Sequence, residues 1–112
     1  MHEMSIARGI IDIVTEEMTR HGVEKTKAVN IAVGKFTAVA PDQLAFCFSM
    51  AVAGTSLEGA RLNIREVPFG YECQSCGAEF TFESIVTACP ECGATNPRLT
   101  AGRELTIESI EV

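Results

Sequence analysis

The chain is short of positive charge. It carries 9 Lys and Arg against 15 Asp and Glu, a formal net charge of −6. Broad binding to a phosphate backbone needs clustered basic groups, so nucleic acid is not an expected partner. The deficit is uneven: residues 1–40 hold five basic and five acidic groups, and residues 41–112 hold four and ten. A long hydrophobic run is also missing. The longest uncharged stretch is residues 43–57, 15 residues, against the ~20 that a spanning helix needs. No membrane partner is expected. Glu3 and Asp12 fall where a signal peptide would place a basic region and an apolar core, so the expected setting is a reduced cytoplasm. There is no Gly-rich phosphate loop, no hydroxyl–histidine–acid set, no internal repeat beyond paired cysteine turns and no low-complexity tract. Nothing points to catalysis, and the chain is read as a non-enzyme. Apolar residues at 46% and charged residues at 21% exclude a disordered chain, and 112 residues suit one compact unit with a small appended module.

Helical and strand periods organise the rest. Met4, Ala7, Ile11, Val14 and Met18 recur at helical spacing, flanked by Ile6, Ile10 and Ile13, which predicts an amphipathic helix over residues 4–20. His21 and Gly22 form its stop. Residues 27–34 alternate as a strand, with Val29, Ile31 and Val33 on one face. Pro41 opens a second helix; residues 44–53 are apolar nearly all round, so this helix is expected to be the buried one, with Phe46, Phe48 and Met50 in the core. Gly54 ends it. A second strand turns Leu62 and Ile64 inward and Arg61, Asn63 and Arg65 outward, and Pro68 limits it. A third strand closes the chain with Leu105 and Ile107 inward; its alternation slips to Ile110 and Val112, which predicts a bulge or a strand end near Ser109. The expected class is α+β: two helices packed on a three-stranded sheet, with an inserted zinc-ribbon-like module of four cysteines. Residues 1–70 and 98–112 would form the α+β domain and residues 71–97 the module.

The module carries the strongest chemical signal, Cys73-x2-Cys76-x12-Cys89-x2-Cys92. Four thiolates close a tetrahedron around Zn²⁺, and two intervening residues let one tight turn supply two ligands. Gly77 and Gly93 follow the second cysteine of each pair, where the backbone often needs a conformation that Gly adopts without strain. Four protein ligands leave no open position, so such a site is structural. Two disulfides, disfavoured in a reduced compartment, or four unrelated core cysteines are the alternatives. Iron is another, because CPECG resembles the second knuckle of rubredoxin, although the spacer is shorter than rubredoxin's. A second chelating set lies at the start, Met1-His2-Glu3. A free α-amine, the His2 amide and the His2 imidazole can close consecutive rings on one cation, and such nitrogen donors favour square-planar Ni²⁺ or Cu²⁺. Glu3 would add a fourth donor, through its carboxylate or its amide. His21 reads as a helix-end residue and Cys47 as a small buried hydrophobe.

MHEMSIARGI at the start, GTSLEGARLNIREVP in the middle, and CQSCG, CPECG and RELTIESIEV toward the end follow one another in an order that resembles the HypA/HybF family of hydrogenase nickel-incorporation proteins. The resemblance covers essentially the whole chain. It implies a nickel metallochaperone that binds Ni²⁺ as transient cargo and helps insert it into the large subunit of [NiFe]-hydrogenase. It also implies a structural Zn²⁺, a GTPase partner and, in some organisms, service to urease maturation. Carried over by position, the nickel site falls on Met1, His2 and Glu3 and the zinc site on Cys73, Cys76, Cys89 and Cys92. Some members bear histidines beside the zinc cysteines, linked to pH-sensitive metal handling; here the only histidines are His2 and His21. The rival from another class is a zinc-ribbon protein-interaction module in transcription or translation.

Overall fold

The computed structural model describes residues 2–112. Helix α1 spans Glu3–His21 and buries Ala7, Ile10, Ile11, Val14 and Met18, close to the stripe that the period marks. It stops as expected: Gly22 turns left-handed at φ 65°, and the Val23 N–H bonds the Met18 carbonyl at 2.9 Å. Strand β1, Ala28–Gly34, follows and is the centre of the first sheet. A 3-10 turn, Lys35–Thr37, leads to α2, Pro41–Ala51, and then to β2, Arg61–Val67. β1 and β2 pair in parallel, so α2 is the crossover of a βαβ unit. Strand β6, Leu105–Glu111, pairs antiparallel on the other side of β1, giving the order β2-β1-β6. Its register jumps from Asn30↔Ser109 to Ile31↔Ile107 and leaves Glu108 as the extra residue, so the slipped alternation marks a bulge and not a strand end.

Val29, Ile31 and Val33 lie on the buried face and meet Val14, Met18, Leu44, Phe48, Val52 and Leu57 in one core. The opposite face of β1 is also shielded. Ala32 is 1% exposed because Arg65 of β2 reaches over the central strand to Glu108 of β6, with bonds of 3.1 and 2.9 Å. Asn30 is tied sideways to Asn63 at 2.8 Å and to Ser109 at 2.9 Å.

Two expectations about burial are corrected. α2 is not buried all round: only Leu44 and Phe48 are buried, while Phe46 is 62% and Met50 57% exposed. α2 packs against α1 and β2, so one stripe is covered and the opposite side faces solvent however apolar it is. Leu105, expected inward, is 39% exposed. It does face inward, paired with Val33, but on an edge strand that α1 only partly covers, so it lines an open groove with Ile6, Ile10, Ile13 and Ile107.

The remaining strands were not anticipated individually. β3 (Phe69–Cys73), β4 (Glu79–Phe82) and β5 (Pro97–Ala101) form a second antiparallel sheet in the order β4-β3-β5. Its apolar content is small. Tyr71 stacks on Phe80 with ring centroids 5.4 Å apart, and its hydroxyl accepts the Val86 N–H at 3.0 Å. Phe80 meets Phe82 edge-on at 5.7 Å. No helix among the described residues is long and apolar enough to cross a membrane.

The two faces of α2 should separate in a stability measurement. Phe48→Ala, at a site 1% exposed, should cost about 3–5 kcal/mol in urea unfolding. Phe46→Ala should cost about 0.5 kcal/mol or less.

Candidate metal centres

The cysteine cluster is assembled by two copies of one turn. β3 delivers Cys73, whose N–H bonds the Ala78 carbonyl at 2.8 Å while its carbonyl accepts the Gly77 N–H at 2.9 Å. Cys89 repeats this with Ala94 at 2.8 Å and Gly93 at 2.9 Å. Gly77 and Gly93 sit at φ 77° and 75°, the left-handed conformation in which a side chain would be strained. Within each turn main-chain N–H groups aim at sulfur. Ser75 and Cys76 donate to Cys73 Sγ and Glu91 donates to Cys89 Sγ, each at 3.4 Å. Side chains of the first turn reach across to the second: Gln74 Nε2 donates to the Asn96 carbonyl at 2.8 Å, and Ser75 Oγ lies 3.3 Å from Asn96 Oδ1.

All four sulfurs lie within 4.8 Å of one another. Cys73 and Cys92 are 3.6 Å apart and Cys76 and Cys89 3.7 Å. A disulfide would need ~2.05 Å. A zinc tetrahedron with ~2.3 Å bonds has edges of ~3.8 Å, so the observed pairs fit a metal and not two bridges. Cys73 and Cys89 are buried and Cys76 and Cys92 exposed. The donor set also fits electrostatically. The Cys76 N–H, helped by that of Ser75 and by neighbouring thiols, lowers the Cys73 thiol from 9.0 to about 6. The Ala78 N–H favours the Cys76 thiolate too, but Cys73, burial, Cys89 and Cys92 together push Cys76 up to about 12. Cys92 is raised as well: the Ala94 N–H works against the shift, and Cys73, burial and Cys89 outweigh it. One thiol ionises readily and its neighbours then resist, which is the setting a dication relieves.

At the other end of the chain, His2 caps α1 with an exposed side chain, and its carbonyl accepts the Ile6 N–H at 3.2 Å. Glu3 is the first helical residue. Its Oε2 accepts the Ala40 N–H at 3.2 Å. That bond and its own main-chain N–H hold the carboxyl below the usual carboxylate range. Of the Met1-His2-Glu3 set, Met1 lies outside the described residues. Ala40 was missed by the sequence reading, because a main-chain donor leaves no mark on residue type. His21 joins neither site. Its Nε2 sits 3.4 Å from Glu17 on the last turn of α1, where a helix-end residue belongs. Cys47 is half-buried against the first core and outside the cluster.

Fold and site together define a small α+β protein whose second sheet presents a closed four-cysteine metal centre. The chain belongs to the HypA family: the family model described as hydrogenase/urease nickel incorporation, metallochaperone, hypA matches residues 1–112. A hydrogenase maturation factor HypA of Aeromonas hydrophila is 41% identical over 112 residues, covering 100% of this chain and 99% of that relative. The corresponding factor of Geobacter metallireducens is 40% identical with the same coverage. The solution structure of the Ni metallochaperone HypA from Helicobacter pylori has the same fold, with a TM-score of 0.67 at 23% identity over 99% of this chain and 97% of that one.

Cys76→Ser should abolish tight Zn²⁺ binding and raise protease cleavage within residues 71–97, while urea unfolding of the α1–β1–α2 core persists. Because Cys76 and Cys92 are pushed up, both carry protons at pH 7, whereas Cys73, at about 6, does not. Zn²⁺ binding at pH 7 should therefore release at least two protons, and affinity should fall as pH drops. Calorimetry in buffers of different ionisation enthalpy counts the protons.

Proposed function

We propose that this protein is a nickel metallochaperone in hydrogenase maturation and not an enzyme. Met1, His2 and Glu3 hold Ni²⁺ as transient cargo, and Cys73, Cys76, Cys89 and Cys92 hold a structural Zn²⁺. The observation that carries the reading is a family match over residues 1–112 in a chain that keeps Met-His-Glu at the head of an exposed helix start. In chemical terms the amine, amide and imidazole nitrogens of two consecutive residues need little folding to chelate a cation. The cargo therefore stays accessible for transfer. The closed thiolate centre does the opposite work, adding folding free energy to a lobe with few large apolar side chains.

The division of labour follows the chain. Residues 1–70 and 98–112 form the nickel-binding domain and residues 71–97 the zinc module, with β3 and β5 of the second sheet running two and four residues past those bounds. The receivers are the maturation GTPase and the [NiFe]-hydrogenase large subunit, with urease maturation proteins where urease is present. The setting is the cytoplasm. Acidic excess in residues 41–112 suits a partner surface that carries positive charge there.

Calorimetric titration with Ni²⁺ tests the reading on three proteins: one with its native N-terminus, one with a histidine-free N-terminal extension, and His2→Ala. The native terminus should bind one Ni²⁺ tightly. The other two should lose that binding while their zinc content and fold stay unchanged. Equal affinity in the extended protein would remove the α-amine from the ligand set.

A further inference from the structure

We propose that residues 34–40 form a bracket that positions the Glu3 carboxylate from the four-cysteine lobe, and that Lys35 and Phe36 are its positioning residues. The last step of this inference rests on the nickel reading above; the bracket itself does not.

The segment is held at one end by the second sheet and its flanks. A Cβ on Gly34 would lie 1.9 Å from the Gly102 carbonyl oxygen, so main chain meets main chain there with no room for a side chain. The Gly34 N–H bonds the Glu104 carbonyl at 2.7 Å and the Phe36 N–H bonds the Gly102 carbonyl at 2.8 Å. The Phe36 ring meets Phe69 edge-on at 6.4 Å, and the Arg103 guanidinium lies over it at 5.0 Å. Phe69 begins β3, the strand that ends at Cys73. Lys35 Nζ reaches Glu83, just past β4, at 2.8 Å.

The middle of the segment is stiff. Thr37 Oγ1 donates to the Gly34 carbonyl at 2.7 Å and accepts the Val39 N–H at 3.2 Å. Ala38 holds φ 59°, a left-handed conformation that a non-glycine residue keeps only when its surroundings impose it. Val39 is buried in the first core. At the far end the Ala40 N–H holds Glu3 Oε2 at 3.2 Å. From Gly34 to Ala40 each residue makes a named contact or holds a fixed turn, so a shift of the four-cysteine lobe reaches the Glu3 carboxylate. The exposed Lys35–Glu83 pair is the weaker hold and the Phe36 ring with its main-chain bonds the stronger. Coupling of this kind runs through contiguous packing and hydrogen bonds, and it is reciprocal.

The test uses the full chain with its native N-terminus and zinc in place. It reads amide hydrogen exchange at Ala40, with Val14 as the internal control, together with Ni²⁺ affinity and zinc content. Phe36→Ala should keep its zinc, speed exchange at Ala40 about ten-fold while Val14 changes little, and weaken Ni²⁺ binding about five-fold. Lys35→Glu should move both readings the same way by less, and Lys35→Glu with Glu83→Lys should restore them. A purely structural loss would instead speed Val14 and Ala40 together. Wild-type exchange at Ala40, or faster exchange with unchanged Ni²⁺ affinity, overturns the proposal. If Phe36→Ala loses zinc or fails to fold, Lys35→Glu and its charge-swapped rescue decide by the same readings. A wild-type protein that binds no Ni²⁺ refutes the nickel reading alone, and exchange at Ala40 then decides whether the bracket exists.

Discussion

Four thiols gathered within 4.8 Å cannot ionise independently, and the second lobe is built around that constraint. Main-chain N–H groups of the first turn draw Cys73 down to about 6, and the charge that results helps to hold Cys76 up at about 12. A dication removes the conflict by compensating all four sulfurs. The sheet around them is too small to supply the same order: beyond Phe69, Tyr71 and the cysteines Cys73 and Cys89, it buries little. The turns, the two glycines at positive φ and the Asn96 contacts all serve the placement of sulfur.

The first lobe is stabilised differently. There β1 is flanked on both edges and covered on one face by the two helices, so its apolar side chains form a conventional core. Its outer face carries polar side chains laid across the strand, Arg65 to Glu108 and Asn63 to Asn30 to Ser109, and these shield β1 without a second layer. Such a lobe has a core of its own, and it leaves the His2 side chain exposed at the start of α1. One lobe thus depends on packing and the other on ligation, and they meet where Gly34 and Gly102 approach main chain to main chain.

Much of this was legible in the residues. The period of α1, its stop at Gly22, the face of β1, the β6 bulge and the four cysteine positions follow from spacing and residue type, because each is a local property of the chain. The chemistry of the knuckles was legible for the same reason: two residues between cysteines followed by glycine describe a turn that needs no distant partner.

Other features arise only when distant segments meet. Phe46 and Met50 read as core residues, yet they face solvent, because burial of a helix face depends on what packs against it and not on its own composition. Strands β3, β4 and β5 are four or five residues long and are defined by their partners, so periodicity could not separate them from the turns of the module. The hold of Ala40 on Glu3 is a main-chain N–H donating to a side-chain carboxylate across 37 positions of sequence, and the donor is invisible to residue type. Residue type and spacing were enough to say which side chains could ligate a metal and which stripe of α1 would be buried. How the four sulfurs stand to one another, and what holds the first turn of α1, came only with the folded chain, because both are set by contacts between segments far apart in sequence.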